Sequence, residues 1–259
     1  MRAGLVAHMG GSNNRFMYTQ LKNEFLKLIN SACLADERAE YSVLGSDFVK
    51  LPSNEYALMK GKEVIVDCKI NGFHGQAFTD TPKLFSGRIV GVAEFALGGS
   101  GERSIFFATL NAVMRKLGLI ERTVHCRGAD ADKCGRLLAE EILTKFGNVK
   151  VGHIGYQPGH VKATSAKFNK VYVTDLNPEN VGKVKFGLKI LDGSMNEDIL
   201  RKVNVACITG SAIVNGTLFK LLECCERYKV NYILYGVTIK GAARIFGYDV
   251  FCPLSRDEL

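Results

Sequence analysis

The stretch Thr209-Gly210-Ser211-Ala212-Ile213-Val214-Asn215-Gly216-Thr217 gathers small, polar and turn-forming residues between an apolar run, 203–208, and a segment with helical periodicity. Glycines let backbone approach a ligand closely, while Ser211, Asn215 and Thr217 offer hydroxyl and amide groups. The start of a following helix adds unpaired N–H groups and the positive end of a dipole, which suit phosphate or carboxylate. The competing explanation is helix capping by Asn215 or Thr217 with no ligand at all. The segment lacks the Gly-Lys-Ser/Thr ending of a Walker A loop, so it is not a P-loop.

A second glycine turn, Gly155-Tyr156-Gln157-Pro158-Gly159, follows an apolar run. Asp175 ends the next run, where dinucleotide-binding folds place a ribose-binding carboxylate. The turn departs from Gly-x-Gly-x-x-Gly, which makes a nucleotide or adenosyl cofactor the lesser expectation and leaves Asp175 open as a turn residue before Asn177-Pro178. Gly236 closes a further run.

Soft metal donors cluster once in sequence, at His125, Cys126 and Cys134. Asp130 or Asp132 would cap a helix there, leaving Cys134 in its first turn with a lowered thiol pKa. A structural zinc site needs four ligands and only three are near one another, so a heavy or transition metal competes here with unreactive, half-buried thiols. His160, after Pro158-Gly159, points into the same crevice more plausibly than His153, which lies inside a strand.

These residues need elements to hold them. In the first half, Leu21, Phe25, Leu26, Ile29 and Ala32 recur at helical spacing and predict a helix over 16–38. Short strands are expected at 48–51, 56–59, 64–70 and 75–79, the last two forming a hairpin through Asn71-Gly72. Helices are expected over 87–97, 104–117 and 132–146. From Asn148 strands alternate with helices, at 149–154, 170–174, 203–208 and 230–235. Alternation implies right-handed crossovers, a parallel sheet and ligand loops at the carboxyl ends of its strands. The expected fold is therefore α/β: a leader at 1–16, a small α+β domain with connecting helices at 17–147, and a Rossmann-like domain at 148–259.

Composition narrows the function classes. The net charge of +8, from 34 Lys+Arg against 26 Asp+Glu, could attract nucleic acid, but the sequence has no tryptophan and no run of interleaved aromatic and basic residues, so no nucleic-acid partner is expected. Eight scattered cysteines in 259 residues do not form the dense framework of a small secreted domain, and reduced thiols are expected. No apolar run is long enough to span a membrane, and the first residues have no signal-peptide core, so the expected location is the cytoplasm. The terminal Arg256-Asp257-Glu258-Leu259 resembles an endoplasmic-reticulum retention signal, which has no meaning without that delivery.

Ala108-Thr109-Leu110-Asn111-Ala112, the 155–159 turn and above all residues 208–217 resemble the prokaryotic heavy-metal chelation family. The resemblance implies a small domain similar to the N-terminal domain of enolase, then a Rossmann-like domain, with the working site in the cleft between them. It implies Asn111 as a cleft residue. Where the family tends to show Gly-Pro-Ser/Thr, this chain has Gly236-Val237-Thr238, which leaves the bound group open. The expected ligand contacts are Asn111, Gly155, Tyr156, Gly159, Asp175, Thr209, Gly210, Ser211, Asn215, Gly216, Thr217 and Gly236. Two functions stand: chelation of a metal or metal complex, or an enzyme acting on a small anionic metabolite or using an adenosyl-type cofactor.

Overall fold

The computed structural model describes residues 12–61 and 63–259. Helix α1 (Ser12–Ser31) buries Leu21, Phe25 and Ile29 completely, the residues whose spacing predicts it. It ends earlier than 38 because Cys33 turns left-handed, at φ 54°, and Leu34 N–H closes back on the Ile29 carbonyl at 2.8 Å, the bond of a left-handed helix stop. Of the expected leader, residues 1–11 lie outside the described residues, and 12–16 belong to α1.

Strands β1 (Glu40–Leu44), β2 (Val64–Ile70) and β3 (Phe73–Thr79) form an antiparallel sheet in that order. Asn71 and Gly72, at φ 50° and 87°, make the expected two-residue reversal. Between β1 and β2 the expected short strands do not form. Helix α2 (Ser46–Val49) takes part of the first, and residues 57–60 make a single 3-10 turn. Short apolar runs do not distinguish strand from helical turn by pattern alone.

Helices α3 (Ile89–Val92), α4 (Ser100–Lys116) and α5 (Asp130–Phe146) follow. The expected helix over 87–97 shrinks to α3, since Leu97 adopts φ 56° ahead of Gly98 and Gly99. Helix α4 lies directly on β3. A Cβ on Gly75 would stand 2.1 Å from Ala112 N and 2.3 Å from the Ala108 carbonyl, so only glycine allows this contact. Sandwiched this way, α4 is buried from Ser104 through Met114.

The second half contains β4 (Val151–Ile154), α6 (Pro158–Lys167), β5 (Val171–Asp175), β6 (Val184–Lys185), β7 (Leu188–Asp192), α7 (Asn196–Leu200), β8 (Val205–Thr209), α8 (Ser211–Asn215), α9 (Leu218–Tyr228), β9 (Asn231–Tyr235), α10 (Lys240–Phe246) and β10 (Val250–Phe251). They build a seven-stranded sheet in the order β10-β9-β8-β4-β5-β7-β6. Only the β6–β7 pair is antiparallel. Counted in chain order, the parallel strands run 3-2-1-4-5-6, the order of doubly wound nucleotide-binding sheets. The four strands read from sequence are β4, β5, β8 and β9. Strands β6 and β10, of two residues each, are too short to leave an apolar signature, and β7, with Lys189 and Asp192 among its five residues, leaves a weak one.

Order reverses between β4 and β8, whose carboxyl ends carry Gly155 and Gly210. The two sheets share one apolar core, in which Phe25, Phe106 and Phe107 pack in the same cluster as Ile208, Ile213, Phe219 and Leu234. Among the described residues no helix is long and apolar enough to cross a membrane.

Candidate ligand-binding cleft

A cavity of about 530 Å³ opens at the carboxyl ends of the parallel strands. One wall comes from the loops after β4, β5, β8 and β9. The other comes from Leu58, Glu63, Phe78 and Asp80 of the first sheet and its approach loop, with Cys126 and Cys134 between. Such a volume suits a small organic ligand.

Of the residues singled out in sequence, Gly155, Tyr156, Asp175, Thr209, Gly210, Ser211, Asn215, Thr217 and Gly236 line the cavity. Three others do not. Asn111 is completely buried in α4, where its side-chain N–H groups donate to the Gln76, Val237 and Thr238 carbonyls at 3.0, 3.1 and 3.2 Å and its oxygen accepts Gly241 N–H at 2.8 Å. It ties β3 to the segment after β9. Gly159 faces α5, and a Cβ there would meet the Ala131 carbonyl at 2.6 Å. Gly216 ends α8 at φ 80°, with the Arg103 guanidinium 2.6 Å from where a Cβ would be.

Neither expected cap of the 209–217 segment forms. Residues Ser211–Asn215 are themselves helical, Asn215 is exposed at the end of α8, and Thr217 at the start of α9 makes no side-chain cap. Thr209 instead accepts Ser211 N–H at 3.4 Å and the Thr217 hydroxyl donates to the Ala212 carbonyl at 3.4 Å, which leaves Asn215 as the polar residue of this segment without a capping role.

The β4–α6 turn is tightly determined. Gly155 sits at φ 99°, and a Cβ there would be 2.7 Å from Thr209 Cγ2, so glycine lets the two switch-point loops touch. Asp175 accepts the Tyr156 and Asn177 N–H groups at 2.6 Å each. These bonds make it a turn residue, and it also lines the cavity. Gln157 caps α6 by accepting His160 N–H at 2.5 Å.

The soft donors do not converge as their sequence spacing suggests. His125 takes its position from a buried chain in which Gln76 donates to Asp67 at 2.9 Å and accepts His125 N–H at 2.8 Å. Its ring nitrogen Nδ1 lies 2.6 Å from the Cys126 carbonyl, and burial lowers its pKa to about 4, so the ring is neutral. Burial pushes the Cys126 thiol up to about 12. Cys134 turns away toward His160, with Sγ and Nε2 3.5 Å apart. Helix α5 starts at Asp130 without a side-chain cap, and Asp130 instead pairs with Arg256 at 2.7 Å. Burial, with Cys252 and Cys126 adding to it, raises the Cys134 pKa where the helix start was expected to lower it. Desolvation outweighs the dipole here. Among the described residues no three His, Cys, Asp or Glu side chains are placed to hold a metal ion.

The opposite wall is acidic. Burial, then Asp175 and Asp80, raises the Glu63 carboxyl to about 7. Across the cleft, Lys185 of β6 pairs with Glu55 at 2.8 Å, tying the hairpin to the loop before β2 and lowering the Glu55 pKa. Glu63, Asp80, Thr238 and Cys252 were not legible as site residues. Glu63, Asp80 and Cys252 sit beside strand ends and Thr238 in the 3-10 turn after β9, and only the two-sheet arrangement brings them to the cavity.

The fold and cleft define a class: a two-sheet α/β protein with a cavity at the switch point of its parallel sheet. Within that class, residues 138–250 match the sequence profile of the DUF364 family, described as "Putative heavy-metal chelation". The match covers the parallel sheet from within α5 to β10, and the family resemblance carried by residues 155–159 and 208–217 is borne out. Two solved structures share the fold, both from the DUF364 family and both of unknown function. One, from Pyrococcus horikoshii, is 18% identical, covers 86% of this chain and 79% of its own, and has a TM-score of 0.55. The other, from Desulfitobacterium hafniense DCB-2, is 14% identical with 88% and 83% coverage and a TM-score of 0.54. No curated protein matches this sequence.

Proposed function

We propose that the cleft binds a small organic molecule carrying a soft metal ion, so that the protein holds the metal as a complex and not as a bare ion. The observation that carries this reading is a cavity of about 530 Å³ lined by Cys126, Cys134, Cys252 and His160, with no set of three donors placed around an ion among the described residues. A closed structural zinc site would present four converging ligands and leave no such volume. The profile match to a family described by heavy-metal chelation supports the same chemistry. In this reading residues 17–147 and 148–259 are the two jaws of the cleft. All eight cysteines are free, which agrees with a reducing, cytoplasmic setting.

The strand order and Asp175 at the end of the second parallel strand favour one alternative, an adenosyl- or nucleotide-type ligand with its ribose toward Asp175. Non-denaturing mass spectrometry of the purified full chain, with elemental analysis, separates the two. The proposal expects an adduct in which metal and organic mass leave together. An adduct of nucleoside type without metal favours the alternative. A protein that carries no metal and takes up neither metal nor metal complex overturns the chelation reading.

A further inference from the structure

We propose that Cys134 and His160 are the two protein ligands of the metal that the cleft receives, and that the incoming organic molecule supplies the remaining donors. The inference rests on the reading of the cleft above and names the residues that act in it.

The geometry is already set. A metal with a thiolate at about 2.3 Å and an imidazole at about 2.0–2.1 Å, at a near-tetrahedral angle, holds the two donor atoms about 3.5 Å apart. Cys134 Sγ and His160 Nε2 stand 3.5 Å apart. An ion can enter between them without moving either helix, displacing the weak S–H hydrogen bond that now joins them. Coordination replaces the S–H bond with a sulfur–metal bond and releases the proton to solvent.

Backbone packing fixes this separation. Helices α5 and α6 touch through Gly135 and Gly159, where a Cβ on Gly135 would be 2.0 Å from the Gly159 carbonyl oxygen. That contact sets the residues on either side, Cys134 and His160, against each other. The imidazole is held by the Tyr235 ring, edge-on at 4.5 Å between centroids.

A second observation points to a ligand. His160 is 2% exposed, lines the cavity, and its Nδ1 has no hydrogen-bond partner. Buried polar atoms are normally satisfied; the strand-interior His153 also leaves its Nδ1 unpaired, but of the two only His160 lines the cavity. No third His, Cys, Asp or Glu closes the site among the described residues, which leaves the other coordination positions open to the incoming organic molecule.

The test uses the reduced full chain and cobalt(II) bound to one 2,2′-bipyridine, a probe that leaves positions for two protein donors. Wild type should show a thiolate-to-cobalt charge-transfer band, release one proton on binding, and give one sulfur neighbour in cobalt X-ray absorption. Cys134→Ser should abolish the band and weaken binding at least about tenfold. His160→Gln should weaken binding to a similar degree while keeping the band, and Cys33→Ser, at an exposed cysteine outside the cavity, should change neither. A band that survives Cys134→Ser, or that Cys126→Ser removes, overturns the anchor. The wild-type absorption spectrum needs no variant, and zero sulfur neighbours, or more than one, overturn it as well. If the purified protein carries a metal complex but its metal has no sulfur neighbour, the anchor fails and the chelation reading stands. Absence of any metal complex, carried or taken up, removes both.

Discussion

Gly135 of α5 and Gly159 of α6 meet backbone to backbone, the Gly159 carbonyl oxygen lying 2.0 Å from where a Cβ on Gly135 would be. No side chain fits between the two helices at this point, and the flexible part of neither helix can yield, because the opposing atom is main chain. Gly135→Ala should therefore push α5 and α6 apart and destabilise the protein by about 1–3 kcal/mol or more, as overpacking does. Chemical denaturation measures it. An unchanged midpoint would mean that the helices do not pack this closely in solution.

Asn111 and Asn215 should respond in opposite ways. Asn111 is fully buried and joins four backbone groups of three segments. Asn111→Ala leaves those groups without partners, at a cost of about 1–3 kcal/mol for each one that water cannot reach. Asn215 is exposed, caps no helix and lines the cavity, so Asn215→Ala should hold stability within about 0.5 kcal/mol while weakening ligand binding. Melting curves and a titration with cobalt(II)-bipyridine on both variants check this. The assignment of Asn111 to structure and Asn215 to the cleft fails if Asn111→Ala melts like wild type or Asn215→Ala binds like it.

Glu63 predicts a pH dependence. Its carboxyl rises from the ordinary 4.5 to about 7 through burial, then Asp175 and Asp80. The folded state holds this proton more tightly than the unfolded chain, so its stabilising contribution is complete below pH 4.5 and is lost as pH rises to about 7. At about 1.36 kcal/mol per pH unit the loss is on the order of 3 kcal/mol. Glu63→Gln stays neutral throughout. Its stability relative to wild type should increase between pH 4.5 and 7 and level off above, as urea titrations at several pH values would read. A difference that does not vary with pH would show that the carboxylate is solvated.

Local sequence was enough for the α/β class and for the loops that face the cavity. The apolar runs of β4, β5, β8 and β9 and the spacing of Leu21, Phe25 and Ile29 are set by neighbours along the chain. The glycines and Asp175 at the strand ends mark where the parallel sheet must turn, and parallel topology places all such turns on one edge. Strand edges with weak patterns, β1 and the β6–β7 hairpin, were not legible because pairing with a partner strand decides them.

Which donors meet was likewise beyond sequence spacing. Cys126 and Cys134 are near in the chain, yet Cys134 projects from α5 toward α6 and finds His160, because the Gly135–Gly159 contact sets the rotation of one helix against the other. Asn111 reads as a cleft residue until β3 and the segment after β9 are seen to converge on its amide. Cys252 reaches the cavity only because β10 adds to the edge of the sheet beside β9. Spacing along a chain fixes the face of an element on which a residue lies. The direction in which that face points is fixed by what packs behind it, and tertiary structure alone supplies that.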